Sequence, residues 1–174
     1  VGWEKINNKW YYFQGNGVMA TGWVKDNGKY YYLLTDGTMH TGWVSIDNVY
    51  YYLGDSGAMA TGWVNMDNGW YYFDPNDGRC TVNSAREIKD SWYMFGSDGK
   101  MVTGWQQVDG GYYYFHTDGR MLTGWLSDGT NSYYMDPANG RMSTGWKQIE
   151  NSYYYFNNSG HKLTGWVQID GTYY

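Results

Sequence analysis

Aromatic rings in this chain recur in sets whose spacing suits the capture of a cation. Number each unit from a Gly-Trp tryptophan as position 0. Positions 0, +7 and +9 then carry Trp43, Tyr50 and Tyr52 in one unit and Trp63, Trp70 and Tyr72 in the next. A methionine follows in the loop, as at Met39 and Met59. Ring faces are electronegative and draw a cation at roughly 0.5–2 kcal/mol per contact. A quaternary ammonium group, which donates no strong hydrogen bond, suits such an apolar box. The CH-rich faces of sugars suit the same rings, and a purely structural reading makes them core. Against the last stands composition: a filler core would use Leu, Ile and Val, which bring no polar atoms to satisfy.

Other chemistry is sparse. His40, His116 and His161 stand alone in loop segments. Asp36, Asp55, Asp98 and Asp118 precede loop glycines, where bonding of the carboxylate to nearby backbone accounts for them. Asp26 and Asp47 offer paired carboxylates of the glycosidase kind, but turn chemistry suffices there too. Cys80 is the only cysteine and fills a slot that holds Met in other units, which predicts an apolar filler. With no zinc-spaced cluster, phosphate loop or Ser-His-Asp set, the expectation is a non-enzymatic segment with no cofactor and no metal.

The elements that position the rings are set by a repeat. Thr-Gly-Trp stands at Thr21, Thr41, Thr61, Thr103, Thr123, Thr144 and Thr164, and Val1-Gly2-Trp3 is a near copy. A fixed period near twenty residues means a repeat architecture. The runs that begin at position +7, such as Tyr50-Tyr51-Tyr52-Leu53, favour a strand. Asn7-Asn8, Asn27-Gly28, Asp47-Asn48, Asp67-Asn68, Asp109-Gly110 and Asp170-Gly171 are turn pairs whose residues tolerate positive φ. The prediction is all-β: a repeat β-solenoid of stacked β-hairpins spanning 1–174 as one domain. Hairpins are expected near 3–13, 23–33, 43–53, 63–73, 85–95, 105–115, 125–135, 146–156 and 166–174.

With the turn at +4 and +5, position 0 faces +9, +1 faces +8 and +2 faces +7. One face then carries +1, +3, +8 and +10, as in Val44, Ile46, Tyr51 and Leu53, and is assigned to the interior. The other carries the aromatic trio. Two units break the pattern: Ala85 replaces the tryptophan of one, whose third aromatic is Met94, and Ser132 replaces the first run aromatic of another.

Composition excludes several partners. Aromatics reach 21% against 17% charged residues, and every tryptophan lies at a repeat position, so the aromatic excess belongs to the repeat. A net charge of −5 argues against nucleic acid, whose phosphates demand basic patches. No apolar run is long enough to cross a bilayer, so no membrane insertion is expected. The chain starts and stops inside repeats, which predicts a segment of a longer protein with its targeting signals elsewhere.

Units of the form Thr-Gly-Trp-Val followed by Tyr-Tyr-Tyr and Gly-x-Met, as from Thr21 to Met39 and from Thr41 to Met59, resemble the choline-binding, or cell-wall-binding, repeats of Gram-positive surface proteins and lysins. The resemblance covers essentially the whole chain. It implies stacked hairpins with choline held between consecutive ones, by a Gly-Trp tryptophan and first run aromatic of one hairpin, a tyrosine of the next, and often a Met. With the face assignment above, the implied sites are Trp3, Trp10 and Tyr32; Trp23, Tyr30 and Tyr52; Trp43, Tyr50 and Tyr72; and Trp105, Tyr112 and Tyr134. Trp63 and Trp70 form a further pair, expected to meet Met94. Met19, Met39, Met59 and Met121 are the implied Met walls, with Lys162 replacing Met in the eighth unit. The resemblance implies a secreted or cell-surface module bound to choline or phosphocholine on teichoic acid. Tyrosine at many first-run positions keeps glucan or another wall polysaccharide open as the ligand, and a structural spacer remains the third reading.

Overall fold

The computed structural model describes all 174 residues and contains nine two-stranded antiparallel sheets and no helix. Each sheet is one hairpin. Hairpins 1 to 4 pair Gly2–Ile6 with Lys9–Phe13, Gly22–Asp26 with Lys29–Leu33, Gly42–Ile46 with Val49–Leu53, and Gly62–Met66 with Gly69–Phe73. Hairpins 5 and 6 are Ser84–Ile88 with Ser91–Phe95 and Gly104–Val108 with Gly111–Phe115. Hairpins 7 to 9 are Gly124–Ser127 with Ser132–Met135, Gly145–Ile149 with Ser152–Phe156, and Gln168–Ile169 with Thr172–Tyr173.

The turn residues explain this regularity. Asn7 and Asn8, Asp47 and Asn48, and Asn27 with Gly28 all have positive φ, as a two-residue turn matched to strand twist requires. The register follows: Trp43 lies opposite Tyr52, Val44 opposite Tyr51 and Ser45 opposite Tyr50. Lys89 and Asp90 adopt the same positive-φ pair without a turn signal in their sequence. Hairpin 7 differs. Its strands are joined through Asp128 to Asn131, and the Asp128 carboxylate accepts the backbone N–H of Thr130 (2.9 Å) and of Asn131 (2.7 Å).

The chain divides into two compact units, Val1–Ser84 with Phe95–Met101, and Ala85–Met94 with Val102–Tyr174. No ladder joins one hairpin to the next. In the first unit, the loop segment after a hairpin bonds back to its own +9 carbonyl, as Ala60 N–H does to Tyr52, and also to the preceding hairpin. Thus Met39 N–H donates to the Trp10 carbonyl and Met59 N–H to that of Tyr30, each at 2.8 Å. The core is the +10 column: Leu33, Leu53 and Phe73 are fully buried. Tyr71, Phe73 and Cys80 cluster there against Val64, Met66 and Val82. In the second unit the same column supplies Phe115, Met135 and Phe156, and Tyr134 and Ile149 pack with Phe156.

The +1, +3, +8 and +10 face is interior, as Val64, Met66, Tyr71 and Phe73 show in hairpin 4, but it also meets the aromatic trio of the preceding hairpin. The position-0 ring of one hairpin packs on +8 and +10 of the next: Trp43 lies 5.1 Å from Tyr71 and 5.6 Å from Phe73. The tryptophan ring is therefore partly covered in the step from hairpin to hairpin and partly left open.

Candidate functional site

Each of the Trp3, Trp23, Trp43, Trp105, Trp125 and Trp146 rings is held between two tyrosines. Its cross-strand partner at +9 meets it edge-on at 5.1–5.4 Å, as in Trp3 with Tyr12, Trp23 with Tyr32 and Trp43 with Tyr52. The second tyrosine comes from the following hairpin, at +8. Trp3 meets Tyr31 at 4.7 Å, Trp23 meets Tyr51 at 5.0 Å and Trp105 meets Tyr133 at 5.0 Å.

The third wall therefore lies one residue from where the alternation argument puts it. Tyr32, Tyr52, Tyr72 and Tyr134 stand edge-on to the tryptophan of their own hairpin, namely Trp23, Trp43, Trp63 and Trp125. Tyr31, Tyr51, Tyr71 and Tyr133 are the rings that reach across. A one-residue step in a strand moves a side chain to the opposite face. The +8 face is the one that the next hairpin turns towards the tryptophan.

The rest of the cage is best defined at hairpin 3. There Trp43, Tyr50, Tyr71 and Cys80 line one cavity of about 280 Å³, with Val82, Ser97 and Asp98 at its margin. Ligand pockets start at roughly 300 Å³, so this one suits a small guest. Cys80 enters because its backbone N–H donates to the Tyr50 carbonyl (2.8 Å). That is the same bond by which Met39 and Met59 reach Trp10 and Tyr30. The methionine of one unit thus belongs to the cage of the preceding hairpin. By this rule Met39 serves the cage of Trp3, Trp10 and Tyr31, and Met59 that of Trp23, Tyr30 and Tyr51. Met142, whose N–H donates to Tyr112, serves Trp105, Tyr112 and Tyr133.

Met19 packs beneath Gly37. Met121 bonds to the Trp92 carbonyl, in the hairpin where Ala85 removes the position-0 ring. Trp63 and Trp70 stand edge-on at 6.3 Å, with Met101 N–H on the Trp70 carbonyl. Cys80 and Met142 are walls that sequence pattern alone passed over. Cys80 was legible as a Met substitute, but its pairing with the previous hairpin was not.

Exposure separates open rings from packing rings. Trp23, Trp43 and Trp105 are 37%, 36% and 38% exposed, and Tyr30, Tyr50 and Tyr112 are 38%, 48% and 44% exposed. Tyr71 and Tyr133, the floors, are 4% and 7% exposed. Rings placed only for packing would not leave so much face open at every step. The protein's own cations already use these faces: Lys5 Nζ lies 5.8 Å from the Trp10 ring and Lys25 Nζ 5.1 Å from that of Tyr30. Burial pushes the Cys80 thiol up to about 11, so it presents a neutral wall.

The polar residues hold loops. Asp36, Asp98 and Asp118 accept the backbone N–H two residues on, at 2.9, 3.0 and 3.1 Å. In the loop of Asp55 that role falls to the Ser56 hydroxyl instead. His40 Nε2 lies 2.9 Å from the Trp43 carbonyl, which can only accept, so this nitrogen carries the proton. Tyr133 is oriented by a hydrogen bond from its hydroxyl to Asp128 (2.9 Å), which ties the unusual hairpin-7 connection to the cage of Trp105.

Known proteins carry similar repeats. Residues 1–41, 40–84, 102–144 and 143–174 match the family described as choline-binding repeat, and residues 86–101 match the putative cell wall binding repeat. The chain is similar to the solved structure of CbpJ from Streptococcus pneumoniae, at 34% identity and a TM-score of 0.88 over 94% of this chain and 59% of that one. It is also similar to choline binding protein F of the same species, at 32% identity and a TM-score of 0.83 over 94% and 57%. The choline-binding domain of CbpL, again from Streptococcus pneumoniae, matches at 29% identity and a TM-score of 0.71 over 93% and 86%. No curated protein sequence matches the chain. The chain spans under two thirds of the first two structures, 59% and 57% of their lengths.

Proposed function

The chain belongs to the choline-binding repeat family, and from that membership we propose that its cages hold choline groups displayed on a cell-wall polymer such as teichoic acid. The observation that carries this reading is the cavity on Trp43, where two part-exposed rings, a buried tyrosine floor and a neutral thiol wall surround a small space, with the Asp98 carboxylate also in its lining. Such a box rewards a cation that needs no hydrogen bond. The complete cages on Trp3, Trp23 and Trp105 repeat the same ring arrangement.

Several weak sites in series suit a polymer that carries many identical groups, because after one engages the rest bind at high effective concentration. The net charge of −5 opposes a phosphate backbone, so attraction rests on the ammonium heads. On this reading the segment is a binding module that holds a secreted or surface protein at the wall, and any catalytic activity belongs to other parts of that protein.

The test is a choline titration followed by tryptophan fluorescence and calorimetry, with glucan oligosaccharides as a parallel arm. The expected result is a saturable change with choline alone, with a rise in melting temperature as ligand ties hairpin to hairpin. A response to glucan alone would move the chain to sugar binding. Silence in both arms would leave the rings as structure.

A further inference from the structure

The cage on Trp125 departs from its equivalents at two residues that are distant in sequence and meet in space. Position +7 of hairpin 7 is Ser132, and the wall slot after hairpin 8, which holds Met or Cys at the complete cages, is Lys162. The Lys162 backbone N–H donates to the Ser132 carbonyl (2.8 Å), the same bond that seats Met39, Met59 and Cys80 in their cages. Lys162 is therefore in the wall slot by construction of the repeat.

Its side chain reaches the rings. Lys162 Nζ lies 5.6 Å from the Trp125 centroid and 5.9 Å from that of Tyr154. Those rings, 5.1 Å apart and at 76°, are the position-0 and +8 walls that face the guest in the complete cages. Both distances fall inside the roughly 6 Å reach of a cation–π contact. Lysine is longer than Met and carries a permanent charge. Serine is far smaller than the Tyr or Trp found elsewhere, so it leaves room for the lysine side chain, which is partly buried.

We propose that Lys162 is the built-in cation of this cage: its ammonium takes the place of a ligand, ties hairpin 7 to hairpin 8 without one, and closes the site to choline. The closing part rests on the choline reading; the seating of the lysine does not. The paired change makes physical sense only together. A lysine beside a third ring would be crowded, and a serine beside Met would leave an open, two-ring site.

Reductive methylation of the lysines with 13C-formaldehyde keeps their charge and gives each an NMR signal. Without choline, the dimethyl-lysine signal of Lys162, identified as the one that vanishes in Lys162→Met, should lie upfield, as should those of Lys5 and Lys25 over their own rings. A Lys162 signal at the position of exposed lysines would overturn the seating. The signal should hold its place through a choline titration; return to the exposed position would show that choline displaces the lysine and would overturn the closure. Calorimetry on the double variant Ser132→Tyr, Lys162→Met, which restores the repeat pattern, should find one more choline per chain than wild type, and an unchanged count would contradict closure by these two residues. If wild type binds no choline at all, the choline reading fails while the NMR arm still decides the seating.

Discussion

Tyr51 and Tyr52 are adjacent, chemically identical, and separated by function. Tyr51 stands across the step from Trp23, and Tyr52 braces Trp43 within its own hairpin. Tyr51→Leu should weaken choline binding at the Trp23 cage by about two- to thirty-fold, the equivalent of roughly 0.5–2 kcal/mol for one lost ring. Tyr52→Leu should leave that cage intact and act on Trp43 instead. Site-resolved NMR of the tryptophan indoles during titration reads the two apart, and matching losses at Trp23 in both variants would contradict the assignment. The alternation pattern puts Tyr52 on the aromatic face and Tyr51 on the interior one. It misassigned them because alternation separates the faces of a hairpin but is silent on which face the neighbour covers. Asp36, Asp98 and Asp118, in contrast, were legible, since an Asp two residues before a loop N–H acts locally; Asp55 was not, because Ser56 stands at that spacing.

At the scale of the hairpin and its loop, the glycine after each turn links packing to binding. Gly57 has φ of 78°, and an added methyl group there would land on the Met39 thioether. Gly57→Ala should therefore cost about 1–2 kcal/mol from the backbone conformation alone and push Met39 out of the Trp3 cage. Thermal melts and choline affinity should both fall; an unchanged affinity would separate the methionine from the site.

The loop carboxylates make a second prediction. Hydrogen bonding to Thr38 lowers Asp36, the Arg120 side chain lowers Asp118, the Asn131 and Thr130 backbone N–H groups lower Asp128, and Lys147 lowers Asp136. Each folded value lies below the unfolded one of about 3.9. Their contribution is thus complete above that pH and is lost as pH falls through the depressed folded values. Melting temperature should hold from neutral pH to about pH 5 and drop only in stronger acid. A drop near pH 6 would contradict this role of the carboxylates. The turns were readable where Asn-Gly or Asp-Asn pairs announced them. Lys89-Asp90 was not, because there the neighbouring strands impose the positive φ.

Within each unit, stability accumulates step by step from rings stacked on rings and a loop N–H donated to the preceding hairpin. A guest between two hairpins adds to every step it occupies, about 2.7 kcal/mol per site at a hundredfold excess over Kd. The repeat, its period and its hairpin register were all legible from local signals. The pairing of a methionine slot with the previous hairpin was not, since it arises only when units stack. The central claim is that a guest cation sits between the position-0 and +7 rings of one hairpin and the +8 ring of the next. The most direct measurement is a crystal structure of the protein grown with choline. The account predicts choline density in the cages on Trp3, Trp23, Trp43 and Trp105, with the ammonium against Tyr31, Tyr51, Tyr71 and Tyr133. Empty cages at saturating choline, or choline bound away from those tyrosines, would contradict it.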